Sequence, residues 1–264
     1  MNADAILGIL TLTTYFGMLA AEAIWPAREF PPVRFWRLAG LGFLALLLAF
    51  GVAMPLLLPV EWLAQHRLMD GTRLGVVGGV VVGLLVSEFI GYFIHRASHR
   101  YSFLWRWMHQ THHASQRIDV ASSALFHPTE LFLQNGLGVF LGTFVLGIEP
   151  LAAGILGYLA AFMGIFQHLN MRTPRWIALF IHRPESHCIH HQLNVHAYNY
   201  GNITLWDRVF GTFRDVESFA GRVGFAEKPA FGKLLFGRDI SGGLGDGVER
   251  RRVEGVPAGG ALSR

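Results

Sequence analysis

Apolar residues fall in long blocks along the chain. Three early runs, about Ile6 to Ile24, about Leu38 to Val60 and about Leu74 to Ile94, each reach the roughly 20 residues a helix needs to cross a bilayer. Two shorter runs, about Leu131 to Leu146 and about Leu151 to Phe166, are broken by GIEP. At about 16 residues each they predict a helical hairpin that crosses thinly or re-enters. Between the first two runs lies WPAREFPPVRFWR, with Arg28, Arg34 and Arg37 among prolines and aromatics. By the positive-inside rule it is a cytoplasmic interfacial loop. The loop over 61–73 mixes Glu61, Asp70, Arg67 and Arg73 and carries no such bias. The expected fold class is all-α, a polytopic membrane helical bundle with a cytoplasmic histidine-rich helical cap. The N-terminus and the 61–73 loop then lie outside. The chain divides into N-terminal spans and loops over 1–73, a histidine-bearing unit over 74–213 and a C-terminal segment over 214–264. From about Gly237 that last segment is glycine- and arginine-rich with little periodicity, and it is expected to be partly disordered and uninvolved.

Composition agrees with a membrane. Of 264 residues, 52% are hydrophobic and only 15% charged, and the mean hydropathy is +0.37, where soluble domains carry about 25% charge. The net charge of +4 rests almost wholly on arginine, since Lys228 and Lys233 are the only lysines. Such a balance suits anionic headgroups, and no aromatic-interleaved basic stripe points to nucleic acid. Cys188 is the only cysteine, so no intrachain disulfide can form. The N-terminus has neither a basic n-region nor a clear cleavage site of a signal peptide.

Within Tyr92 to His191 lie eleven of the thirteen histidines. His95 and His99 stand in HRASH, His109, His112 and His113 in HQTHH, and His187, His190 and His191 in HCIHH. Residues three and four apart share a helix face, so each cluster is expected to aim its imidazoles at one point. Imidazole is the commonest ligand for iron, zinc, copper and nickel. Eight to ten imidazoles exceed one tetrahedral zinc and suit two metals with four or five nitrogens each. Carboxylates are scarce inside the clusters, unlike the glutamate-rich soluble di-iron bundles.

The third apolar run adds a stripe. Glu88, Tyr92, His95 and His99 stand at i, i+4, i+7 and i+11, and an acid inside a span is functional by default. Glu88 is expected to accept a hydrogen bond from a ligand imidazole, directly or through Tyr92, and Asp207, beside Trp206, to partner another. Glu185 and Ser186 suit the start of a helix bearing the third cluster. His127 precedes Pro128, as an extended residue at a helix start does. His66 reads as surface, His182 as lying near the headgroups, His196 as outside the coordination sphere and Cys188 as a small packed residue. Arg96 and Arg100 sit at the membrane boundary, binding lipid phosphate or snorkelling.

The set HRASH, HQTHH, FHPTE, QHLN, HCIHH, NYGN and WDRVFGTF resembles the fatty acid hydroxylase and sterol desaturase superfamily of integral membrane non-haem di-iron enzymes. The resemblance covers about Ser87 to Phe213 and marks 74–213 as the catalytic domain. It implies O2-dependent hydroxylation or desaturation of a lipid C–H bond by two irons. Electrons come from NAD(P)H through a redox partner, and no fused cytochrome b5 stretch is visible, so a separate cytochrome b5- or ferredoxin-like donor is implied. His95, His99, His109, His112, His113, His187, His190 and His191 match the family's metal-binding histidines, and His127 and His168 match histidines often found in addition. Tyr198 departs from the pattern, standing where an aspartate is common. Carotenoid or alkyl-ether lipid oxidation stays open within the class. A metal transporter, from another class, would distribute its ligands along the spans.

Overall fold

The computed structural model describes residues 2–242, and among them regular structure is all helical. The chain begins with α1 (Ala3–Ile24), α2 (Trp36–Leu57), the short α3 (Val60–Gln65) and α4 (Gly75–Arg100). α5 (Ser102–Leu104), a π-helical turn (Trp105–His109) and α6 (Gln110–His113) follow. α7 (Pro128–Val139) runs on into a π-helical segment (Phe140–Val145) and pairs with α8 (Pro150–Gln167). Beyond them lie α9 (Pro184–His190), α10 (Thr204–Val209) and α11 (Phe231–Leu235). Among the described residues four helical stretches are long and apolar enough to cross a membrane: α1, α2, Gly71–Arg100 and α8. Large apolar side chains on them face outward, Leu56 at 80% and Val77 at 78% exposure, which water would disfavour and hydrocarbon accepts.

α8 is the central element, packed on both α1 and α4, while α2 packs on α7. α4 approaches α8 closely at a small residue. A Cβ on Gly83 would stand 2.3 Å from the Leu156 side chain. Tyr15, Leu44, Val120, Ala124, Ile165 and Leu169 form a core where α1, α2 and α8 meet the cap.

The α7–α8 hairpin crosses the bundle rather than re-entering. At its tip the N–H of Leu68 donates to the Phe144 carbonyl (2.7 Å) and that of Gly71 to Leu146 (2.9 Å), so it reaches the level at which α4 begins. The loop after α1 lies at the opposite end, against the cap. There Ala27 donates to the Asn170 carbonyl (2.8 Å), Arg117 Nη1 to Pro31 (2.8 Å) and Trp36 Nε1 to Asp119 (2.9 Å).

Of the segment expected to be partly disordered, residues 214–242 are packed against the cap. Phe225 and Leu234 share a buried cluster with Trp105 and Ala114, and Gln110 Nε2 donates to the Arg238 carbonyl (2.9 Å). The gain is burial of aromatic surface from the π-helical turn. Residues 243–264 lie outside the described residues.

Candidate metal centre

Nine imidazoles converge where α4, α6, α8 and α9 end, and they sort into two groups. His95, His99, His109, His113 and His190 form one, His112, His168, His187 and His191 the other, and within each group one ligand atom per residue lies within 4.8 Å of all the others. All are buried except the half-buried His95. The sorting corrects the expectation that each cluster aims at a single point. Pairs four apart stay together: 95 with 99, 109 with 113, 187 with 191. The third member of each HxxHH motif, His112 or His190, enters the other group. On a helix i and i+4 differ by about 40°, whereas i+3 and i+4 differ by about 100°. Each HxxHH motif therefore serves both groups.

The ring nitrogens are divided by role. In the four-imidazole group Nε2 atoms face one another, His168 to His112 at 3.3 Å, His187 to His168 at 3.0 Å and His191 to His187 at 3.0 Å. In the five-imidazole group Nε2 of His95 and His190 are 3.0 Å apart, as are those of His113 and His109. A metal–imidazole bond of about 2.0–2.1 Å sets neighbouring ligand nitrogens roughly 3.0–3.4 Å apart, so the spacing fits a shared cation. Facing outward, Nδ1 of His95 donates to the Tyr200 carbonyl (2.6 Å), of His190 to Tyr198 (2.7 Å), of His109 to Glu130 Oε1 (2.9 Å) and of His168 to Ser122 Oγ (2.8 Å). Nδ1 of His113 meets Nδ1 of His196 at 2.8 Å. A proton on Nδ1 leaves the Nε2 lone pair free to bind metal. Both nitrogens of His99, buried without a hydrogen-bond partner, fit a ligand role as well.

Electrostatics keeps these rings neutral, the form that binds metal. Burial holds His109 and His168 down at about 3. Burial first, and neighbouring imidazoles second, push His112, His113, His187 and His191 well below the ordinary imidazole range. Burial also lowers His196 to about 3 and raises the Cys188 thiol to about 11, despite Arg28 beside it.

His127, a candidate ligand by sequence, belongs to neither group. Its Nδ1 accepts from the Thr129 N–H (3.2 Å) at the start of α7, and its Nε2 faces the Leu235 carbonyl (3.3 Å). It caps a helix end. Nor does Glu88 touch an imidazole. Its carboxylate accepts from the Asn202 N–H (2.7 Å), Asn202 Nδ2 (2.8 Å) and the Ile203 N–H (3.2 Å), because an acid in a span is best satisfied by backbone donors at a turn. Tyr92 Oη pairs with Thr212 Oγ1 (3.0 Å). Asp207 accepts from the N–H groups of Tyr200 and Gly201 (both 2.8 Å) and from His182 Nε2 (3.0 Å). His182, fully buried, is thus Asp207's partner and not a residue at the headgroups. His66 is exposed, stacked on Trp62 at 4.3 Å.

Glu88 and Asp207 hold the turn over 198–203, whose Tyr198 and Tyr200 carbonyls orient His190 and His95. Tyr198 and Asn199 are left-handed, at φ 69° and 52°, and a Cβ on Gly201 would stand 2.7 Å from the Ile203 carbonyl. Backbone carbonyls leave no signature in a sequence, so this turn's role was not legible there. Glu130 stands in the first turn of α7, where an acid is ordinary helix chemistry, and nothing marked Ser122.

The profile of the fatty acid hydroxylase family matches residues 80–212, which include all nine histidines. A very-long-chain aldehyde decarbonylase of Oryza sativa subsp. indica is 32% identical over 115 residues, 42% of this chain and 44% of that protein. The lathosterol oxidase of Rattus norvegicus is 33% identical over 121 residues, 45% and 40% of the two chains. The sphinganine C4-monooxygenase 1 of Arabidopsis thaliana is 30% identical over 116 residues, 42% and 44%. The matched region thus spans less than half the length of these relatives. No solved structure gives a significant match. With half its length matched by the family profile and its histidine motifs gathered in one buried centre, the chain belongs to the fatty acid hydroxylase family, within the fatty acid hydroxylase and sterol desaturase superfamily.

Proposed function

We propose that the chain is a membrane-bound di-iron oxygenase that hydroxylates or desaturates a C–H bond of a lipid, using O2 and electrons from a separate redox protein. The observation that carries this reading is the two-group arrangement: nine clustered imidazoles, eight of them buried, eight with Nε2 facing another ring's Nε2, and five with Nδ1 held from outside. His95, His99, His109, His113 and His190 would hold one iron, and His112, His168, His187 and His191 the other. The chemistry that a bound iron pair supplies is activation of O2 for cleavage of an unreactive C–H bond. Transport would call for ligands strung along the spans, whereas these gather at one end of the bundle.

The chain's own residues hold the rings and keep water out. Phe126 stacks on His112 at 4.8 Å, and Trp105 lies 5.3 Å from His113. These aromatics shield the groups from solvent, which strengthens every electrostatic contact inside. A hydrocarbon substrate fits the apolar cavity of about 440 Å³ between α4 and α8, lined by Leu84, Leu159, Phe162, Met163, Ile181 and Ile203. It borders the turn that orients His95 and His190. Relatives named for a sterol, a sphingoid base and a long-chain aldehyde support a lipid substrate. We take 74–213 as the catalytic unit, with the cap in the cytoplasm, where a cytochrome b5- or ferredoxin-like donor and NAD(P)H are found.

Metal analysis of the purified chain tests the reading, with two transition-metal ions per chain expected and iron in the active form. One ion at full occupancy would contradict it. Lipid profiling of a host expressing the chain, with and without the His112–His113 pair, identifies the product. Replacing both residues removes one ligand from each group, so conversion should cease.

A further inference from the structure

We infer that Glu22, on the first span and outside the family-matched residues, is a positioning residue for the four-imidazole group; the inference rests on the metal reading above. Glu22 lies two residues from the end of α1 and is only 9% exposed. A glutamate at the end of a span ordinarily turns its carboxylate to the headgroups. This one turns inward. Oε2 accepts from the N–H groups of Val120 and Asn170, both at 3.0 Å, and Oε1 lies 3.2 Å from the same Val120 nitrogen.

The two segments so joined flank His168. Val120 opens the 3-10 turn Val120–Ser122, which is closed by reciprocal bonds between Asp119 and Ser122. Ser122 Oγ gives its own proton to the Asp119 carbonyl (2.7 Å) and accepts from His168 Nδ1 (2.8 Å). Asn170 stands two residues after His168, just past the end of α8, and its side chain is fixed by the Arg28 carbonyl (2.8 Å). One carboxylate thus sets the distance between the acceptor of His168 Nδ1 and the turn that presents His168. Glu88 does the corresponding work for the five-imidazole group through the turn over 198–203. Two acids buried in spans therefore each brace one group.

The experiment loads purified full-length variants with iron or cobalt and measures ions per chain and the affinity of each. Glu22→Met keeps length but removes both acceptor oxygens. It should retain one ion at wild-type affinity and bind the second about 10- to 100-fold more weakly, the usual effect of losing an outer partner of a metal ligand. Glu22→Gln should hold both ions, because one amide oxygen at the Oε2 position can accept both 3.0 Å bonds. Ser122→Ala should weaken the same ion, and the double variant Glu22→Met/Ser122→Ala should lose less than the sum, as coupled neighbours do. In a His99→Ala background, which weakens the five-imidazole group, Glu22→Met should lower the affinity for the remaining ion. Should Glu22→Met not fold, Glu22→Ala is read in its place. A merely structural role would weaken both ions in parallel, and that result, or two ions at wild-type affinity, overturns the inference alone. A wild-type chain that does not bind two ions overturns it together with the metal reading.

Discussion

Asp207 gathers four donors on one carboxylate: two backbone N–H groups, His182 and the Thr212 hydroxyl (2.7 Å). Burial alone would raise its pKa, but these bonds hold it below the ordinary carboxylate range. Asp207→Asn turns one acceptor oxygen into an NH2 that must face a donor, and an unpaired buried group costs about 1–3 kcal/mol. We expect a lower Tm and weaker binding at the five-imidazole group, read by calorimetry and metal titration. A second expectation concerns acid. His109 and His168 fall from 6.5 in the unfolded chain to about 3 in the fold. Their folded values are depressed, so the unfolded chain binds more protons between these limits. Their contribution to stability is full above about 6.5 and is lost as pH falls toward about 3. The Tm of metal-free protein should therefore be level near neutrality and decline across that window. A level Tm down to pH 4 would show that the rings are not buried as neutral imidazoles.

Helical phase decides what an element can contribute. The stripe of Glu88, Tyr92, His95 and His99 was legible in the sequence because α4 runs unbroken from Gly75 to Arg100. Convergence of the clusters was legible too, since each motif holds residues one turn apart. Which pair joins which group was not, because that depends on where the neighbouring helices end, whereas the split within each HxxHH motif follows from its spacing. The turn over 198–203 was hidden for a further reason. It works through carbonyls, and one of its left-handed residues, Tyr198, carries a side chain that does not mark such a position. Gly201 exposes the turn to test. A methyl group there meets the Ile203 carbonyl at 2.7 Å, and rigid backbone cannot yield as a side-chain tip would. Gly201→Ala should displace the Tyr200 carbonyl from His95 and weaken the five-imidazole group while sparing the other. Ion stoichiometry falling from two toward one checks this, and an unchanged affinity would remove the turn from the site.

Across the whole molecule, the long spans could be read from apolar length, whereas the reach of the α7–α8 hairpin could not. Its apolar runs read as short in sequence, but α8 is long enough to cross by itself, and pairing of the tip with Leu68 and Gly71 shows that α7 and its π-helical extension reach the same end. That pairing also fixes relative sides. The 66–71 loop lies at one end of the bundle, and the 25–35 loop and the cap at the other, whichever way the bundle sits in the bilayer. Orientation then rests on Arg28, Arg34 and Arg37, which follow the first span at the end that bears the cap. Each cation costs free energy to translocate, and cytoplasmic loops accordingly keep them. The 61–73 loop has two arginines, Arg67 and Arg73, both paired with Asp70 at 3.1 and 3.3 Å. Two arginines against three give it the weaker pull, and the cap should face the cytoplasm. Cys188 is buried, so single cysteines placed at exposed Pro32, His66 and Lys228 can report by reaction with a membrane-impermeant maleimide. In intact cells His66→Cys should be labelled while Pro32→Cys and Lys228→Cys are protected, and all three should react once the membrane is opened. The reverse pattern would turn the bundle over and take the cap away from cytoplasmic electron donors. Equal labelling of His66→Cys and Pro32→Cys would contradict the crossing of α2 itself.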